Sequence, residues 1–277
     1  MTIVRATLWE AAKRRLLLAV AILSVVFVAV FTIGFLFARG RLGADPIEAE
    51  VAATILTVLG LYVASFLAAF LALFLSAGAV SGEIDSGQLH AVLARPLSRW
   101  SWLLQRWFGM AVVVTAYTLV LAGALLLVAR WVVGYQAVNP LAGLALMALQ
   151  TLTLLTLGVF GSTRLSTLAN GAVVFFAFGL AWMAGFVEFV GQVIDNVAME
   201  RVGIVTSLLI PSDALWRGAS AGLSSPAFLT AAAFGGDEAG FPFTGVALPS
   251  VELVVWSVLY VPVLLVLAVR IFNRRDL

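Results

Sequence analysis

Six stretches of this chain contain no Asp, Glu, Lys or Arg: 16–38, 51–82, 107–129, 141–163, 165–187 and 253–269. Each supplies close to the ~20 apolar residues with which a helix crosses ~30 Å of hydrocarbon. A soluble domain interrupts such runs, because roughly a quarter of its residues are charged. Here 11% of 277 residues are charged and 63% are hydrophobic, so there is too little charge to cover a water-facing globule. Disorder is excluded for the opposite reason, since there is ample apolar surface to bury. The fold class expected is all-α, a polytopic membrane protein with six transmembrane helices at about 16–38, 54–78, 107–129, 141–161, 170–188 and 252–270. Long apolar runs fit helices better than the alternating strands of a barrel.

The charges that remain sit between the runs and set a topology. With the N-terminus inside, Arg5, Lys13, Arg14, Arg15, Arg95, Arg99, Arg106, Arg164, Arg270, Arg274 and Arg275 are internal. Arg39, Arg41, Arg130, Arg201 and Arg217 are external. That split satisfies the positive-inside rule with both termini cytoplasmic. Trp100, Trp102 and Trp107 are expected at the inner interface, and Trp131 and Tyr135 at the outer one. Lys13-Arg14-Arg15 ahead of the first run resembles a signal peptide's basic start. The run is too long for a signal core, and an uncleaved first span is expected. Residues 2–15 suit an amphipathic helix lying in the interface. An outer loop over 189–251 holds two apolar stretches, 202–210 and 228–234. Both are too short to span and are expected as re-entrant or interface-lying helices.

The longest cytoplasmic segment, 81–99, reads SGEIDSGQLHAVLARPLSR. Asp85 three residues ahead of Gln88 suggests an aspartate-led capping box. A helix over 86–95 then puts Leu89, Val92 and Leu93 on one face, and Pro96 stops it. Ser98 is placed to cap the next helix. The result is a short amphipathic helix at the cytoplasmic surface whose apolar face needs a partner.

Residues 81–109, SGEIDSGQLHAVLARPLSRWSWLLQRWFG, resemble the loop between the second and third spans of type-2 ATP-binding-cassette (ABC) exporter permeases. The branch most alike includes permeases associated with maturation of copper enzymes. LLIPSDALWRGAS at 208–220 resembles the outer segment before that family's last span. The resemblance implies that 81–99 forms a coupling helix docked on a separate ABC ATPase. Glu83, Asp85, Gln88, Leu89, Val92, Leu93, Arg95 and Arg99 would then be the contact residues. It also implies a second permease, a homo- or heterodimer, in the plasma (inner) membrane of a prokaryote. ATP and Mg would be held by the partner, since no G-x-x-x-x-G-K-[ST] loop exists here and the single lysine is Lys13. No cofactor is expected in this chain and no nucleic acid among its partners. Copper does not follow from the likeness: the chain has no Cys, one His (His90) and five Met.

The charge-free spans offer no relay of ionisable groups such as ion-coupled carriers place in the membrane. Glu188, at the outer end of the fifth run, is expected to be an interface residue. Gly60, Ala64, Ala68, Ala72 and Ser76 recur at i+4 and form a small-residue ridge, an interface within the chain or with a second permease. Gln150, Thr153 and Thr156 share one side of the fourth run. They either line a pathway or bond across helices and to their own carbonyls, the second being the expectation. Two other function classes stay open. An intramembrane enzyme would need paired carboxylates, a His cluster or a nucleophile–base pair, and one His and no acid inside any run argue against it. A non-transporting scaffold is the other.

Overall fold

The computed structural model of the protein describes residues 15–40, 46–87, 98–234, 244–245 and 247–275. Every regular element among them is a helix: α1 (Arg15–Arg39), α2 (Pro46–Ala77), α3 (Ser81–Asp85), α4 (Arg99–Val133), α5 (Pro140–Ser162), α6 (Thr167–Val193), α7 (Val197–Leu209), α8 (Ser212–Leu223), α9 (Pro226–Phe234) and α10 (Val251–Asn273). Six of these, α1, α2, α4, α5, α6 and α10, are long and apolar enough to cross a membrane. The expected amphipathic helix over 2–15 lies outside the described residues, apart from Arg15, which opens α1.

Local chemistry sets the helix ends. Asn139 caps α5 by accepting the amide of Ala142, with Pro140 at the first helical position. Ser166, Asn196 and Ser250 cap α6, α7 and α10 in the same way. Gly134, at φ 74°, closes α4 in the left-handed conformation that glycine adopts without a Cβ clash. Ser98 does occupy the N-cap position of α4, but its side chain makes no capping bond.

α5 stands at the centre and packs against α2, α4, α6, α8 and α10. α1 lies at the rim against α4 and α2. Its Leu18, Ile22, Val25, Val30 and Ile33 are exposed, as a face toward lipid requires. The small-residue ridge of α2 is consumed inside the chain. Ala64, Ala68, Ala72 and Ser76 are buried. Gly60 leaves room for the Phe31 ring of α1, and Ser76 fills the space over Gly158 of α5.

Two features depart from the sequence expectation, and the start of α4 follows it. α4 has 35 residues and begins at Arg99, directly after Ser98, eight residues ahead of the apolar run at 107. At ~1.5 Å per residue it outreaches the hydrocarbon by several turns. Trp102 and Tyr135 are core residues, not belt residues: Trp102 is 2% exposed. Tyr135 donates its hydroxyl to the Leu223 carbonyl. Trp131, 83% exposed, does face outward. Finally, the described residues of 189–251 hold three short helices where two were expected. The added one, α8, folds into the bundle against α5. Leu223 lies over Gly143, and the Asn139 amide donates to the Gly222 carbonyl at 2.8 Å. Leu215 and Trp216 are buried with it.

Candidate coupling site at the arginine-rich end

The chain leaves α2 at Ala77, winds through Gly78 and forms the five-residue α3. The Gly82 amide donates to the Gly78 carbonyl at 3.2 Å and the Ile84 amide to the Val80 carbonyl at 3.1 Å, so the winding nearly continues from α2. α3 stops at Ser86, with Gly87 at φ 71°. Asp85 is therefore the last residue of a helix, not the cap of one starting at 86. Helix geometry through Ser81–Asp85 presents Glu83 to a buried partner.

That partner is Arg106, on the first turns of α4. Its Nη2 donates to Glu83 Oε1 at 2.6 Å, its Nε donates to the Ala79 carbonyl at 2.9 Å, and its guanidinium lies 5.6 Å from the Trp102 ring centre. Both partners are 8% exposed. A buried charge is tolerated when paired and hydrogen-bonded, and this pair meets both conditions. It bolts α3 to α4.

A second set of bonds ties the same corner to α6. Ser81 Oγ and Thr167 Oγ1 lie 2.9 Å apart. Asn170 Nδ2 donates to the carbonyls of Ala77 and Gly158, at 2.9 and 2.8 Å. One amide thus serves carbonyls near the ends of both α2 and α5, where helices leave acceptors unpaired. On the far side of the loop, Arg99 Nη1 donates to the Arg275 carbonyl at 2.8 Å. Trp102 meets Phe272 at a ring separation of 5.7 Å, so the start of α4 is joined to the end of α10.

Of the contact residues expected from sequence, Glu83 is occupied inside the chain by Arg106, and Asp85 is exposed. Arg99 is held by the α10 terminus. Gln88, Leu89, Val92, Leu93 and Arg95 lie outside the described residues. The segment that carries them runs between two fixed points, Gly87 and Ser98.

At the opposite end of the bundle Arg217 of α8 stands between two carboxylates. Its Nη2 donates to Glu188 Oε2 at 2.6 Å, and its Nε lies 3.1 Å from Asp213 Oδ2, an ion pair without hydrogen-bond alignment. Glu188 is therefore no free interface residue; its side chain is 14% exposed. Burial pushes the Asp213 carboxyl up to about 6, Arg217 pulls it down, and Glu188 pushes it up again. Gly185 and Gly203 leave space for Asp213 and Glu188 respectively; a Cβ at either would overlap the carboxylate. Beside this triad opens a cavity of about 660 Å³, walled by Phe189, Ile204, Leu208, Leu253 and Trp256. The spacing Asp213–Arg217, i to i+4, was the readable signal for this cluster.

The polar residues of α5 turn inward. Thr153 Oγ1 donates to the Gln150 carbonyl at 2.7 Å, and Thr156 Oγ1 donates to the Leu152 carbonyl while accepting from Trp107 Nε1 at 3.0 Å. Gln150 Oε1 is buried without a partner, in a small space it shares with Ser212 and Asp213.

Among the described residues, the bonds found at the arginine-rich end link α3 and the ends of α4 and α10 to neighbouring spans. A family model described as ABC-2 family transporter protein matches residues 9–277. No curated protein matches the chain. With six apolar helices and a match over nearly its whole length, the chain belongs to the ABC-2 transporter family, as a membrane-embedded permease component of an ABC transporter.

Proposed function

We propose that this chain is the membrane-spanning permease of an ATP-driven exporter, worked by a separate ABC ATPase that docks on residues 81–99. In this reading the arginine-rich end and both termini face the cytoplasm of a prokaryote. ATP and Mg sit in the ATPase, and two permeases pair over two ATPase subunits. The observation that supports it most is the clamping of the loop at both sides. Entry is fixed by Arg106–Glu83 and Ser81–Thr167, and exit by Arg99 on the α10 terminus. A push on a segment held in this way reaches α2, α4, α6 and α10 without a slack joint. The positive-inside charge split supports the orientation. The likeness to copper-enzyme maturation permeases rests on sequence segments alone, and copper is not proposed as the cargo.

The test is co-expression with an ABC ATPase encoded alongside. Leu89→Asp with Leu93→Asp should release the ATPase on purification and abolish permease-stimulated ATP hydrolysis, while the permease keeps its melting temperature. An ATPase that stays bound and stimulated refutes the docking assignment.

A further inference from the structure

At the arginine-rich end, away from α3, the corner after α5 and the last turns of α10 enclose a groove of about 480 Å³. Four of its lining residues are Arg164, Arg270, Arg274 and Arg275, and its apolar wall is Leu267 and Ile271. Arg164, Arg270 and Arg274 are exposed, and Arg275 is half-buried. Among the described residues no carboxylate pairs with any of the four. Arg270 and Arg274 stand at i and i+4, a spacing at which like charges repel. The C-terminal ends of α5 and α10 meet here, and their dipoles offset part of that repulsion.

The positive-inside rule accounts for arginines beside span ends. It does not require arginines from two separate elements to converge on one concavity. The frame is also held in place. Arg275 Nη1 donates to the Thr163 carbonyl at 2.7 Å, fixing α10 to the α5 corner, and the Arg275 carbonyl accepts from Arg99. Guanidinium forks match phosphate oxygens in two-point contacts. A basic pocket between spans, at the depth where hydrocarbon gives way to headgroups, suits a phospholipid anion. Leu267 lies in the charge-free run 253–269, and Arg270 comes directly after it. The groove therefore passes from an apolar wall to a cationic floor within one turn of helix.

We propose that this groove is a binding site for an anionic phospholipid, its phosphate held by Arg164, Arg270 and Arg274 and its acyl chain lying along Leu267 and Ile271. The site does not depend on the exporter reading, because occupancy is measured without an ATPase. The experiment uses the full chain in nanodiscs of phosphatidylcholine with or without phosphatidylglycerol, with retained lipid counted by native mass spectrometry. Wild type should keep phosphatidylglycerol bound and melt higher in its presence. Arg164→Gln with Arg270→Gln and Arg274→Gln should weaken retention by about a hundredfold, as the loss of three surface cations predicts. Arg275 is spared because its bond to Thr163 is structural. Arg130→Gln with Arg201→Gln, which removes two cations outside the groove, should retain the lipid. Should the triple variant melt low in phosphatidylcholine alone, the single Arg270→Glu change must still lower retention. Equal retention by wild type and both groove variants overturns the proposal. So does equal stabilisation of wild type by inorganic phosphate in phosphatidylcholine discs, which would mark a site for free anions.

Discussion

Arg106 and Arg217 do similar work at opposite ends of the bundle and differ in what surrounds them. Arg106 donates to the Glu83 carboxylate and to the Ala79 carbonyl. Arg217 meets two carboxylates, Glu188 and Asp213, so its site carries one negative charge in excess while both acids are ionised. The excess falls on the more deeply buried acid, whose carboxyl is pushed up to about 6. The Arg106–Glu83 pair bolts α3 to α4. The overcharged triad is a joint whose protonation changes near neutral pH. The bolt lies beside the loop on which docking is proposed, and the titrating joint lies beside the larger cavity.

The largest expected effect comes from breaking the bolt. Arg106→Met leaves Glu83 buried without its partner, and such a loss costs about 3–5 kcal/mol. Adding Glu83→Gln removes the orphaned charge and should restore much of the melting temperature in nanodiscs. If the double variant melts no higher than the single one, Arg106 acts through packing on Trp102 and not through charge.

The triad should show itself in a pH profile. Asp213 rises from 3.8 to about 6 on folding, so the folded chain binds that proton more tightly than the unfolded chain does. Its contribution is greatest at acid pH, shrinks as pH rises through about 6, and is level above that. The titratable groups facing it are Arg217, Glu188 and, from α2, Tyr62. A shift of this size corresponds to about 2–3 kcal/mol. Melting followed across this window should lose its slope in Asp213→Asn, and Arg106→Met should leave the slope unchanged. A wild type with a flat profile would remove the contrast between the two ends.

Much of the scaffold was legible in sequence because water and lipid enforce it. The six charge-free runs locate the six long helices, since a single unpaired charge inside any of them is costly. Ser98 marked the start of α4, but not what lets the helix carry two arginines ahead of its apolar run: Glu83 and the α10 carbonyls meet Arg106 and Arg99 across the fold. α8 was hidden for a related reason. Ser212, Asp213 and Arg217 give it no apolar run to be found by, and their burial depends on partners such as Glu188, 29 residues from Arg217. Asn170 gave no signal at all: its role depends on where two other helices end. Pairings between distant residues are set by tertiary geometry, and local patterns do not carry them.

Close helix approach supplies a smaller test of the same contrast. Gly158→Ala drives a methyl into Ser76, and Gly185→Ala drives one into the Asp213 carboxylate. Each should cost about 1–3 kcal/mol as overpacking. Only Gly185→Ala should also change the pH profile, because it displaces Asp213 from Arg217. Ser76→Gly should rescue Gly158→Ala, and nothing at position 76 should rescue Gly185→Ala.

The smallest effect belongs to the hydroxyl pair Ser81–Thr167, which shares the corner with the bolt. Thr167→Val keeps the shape of the side chain and removes one partner of a 2.9 Å bond. Within a membrane bundle such a bond contributes about 0.6 kcal/mol on average. The variant should therefore melt within a degree or two of wild type. If α3 transmits force to α6 through this contact, stimulated ATP hydrolysis should fall by more than that stability loss accounts for. Thr167→Ser, which restores the hydroxyl, should return it. Equal, near-normal hydrolysis in both variants would assign the linkage to Arg106–Glu83 and leave Ser81–Thr167 as packing.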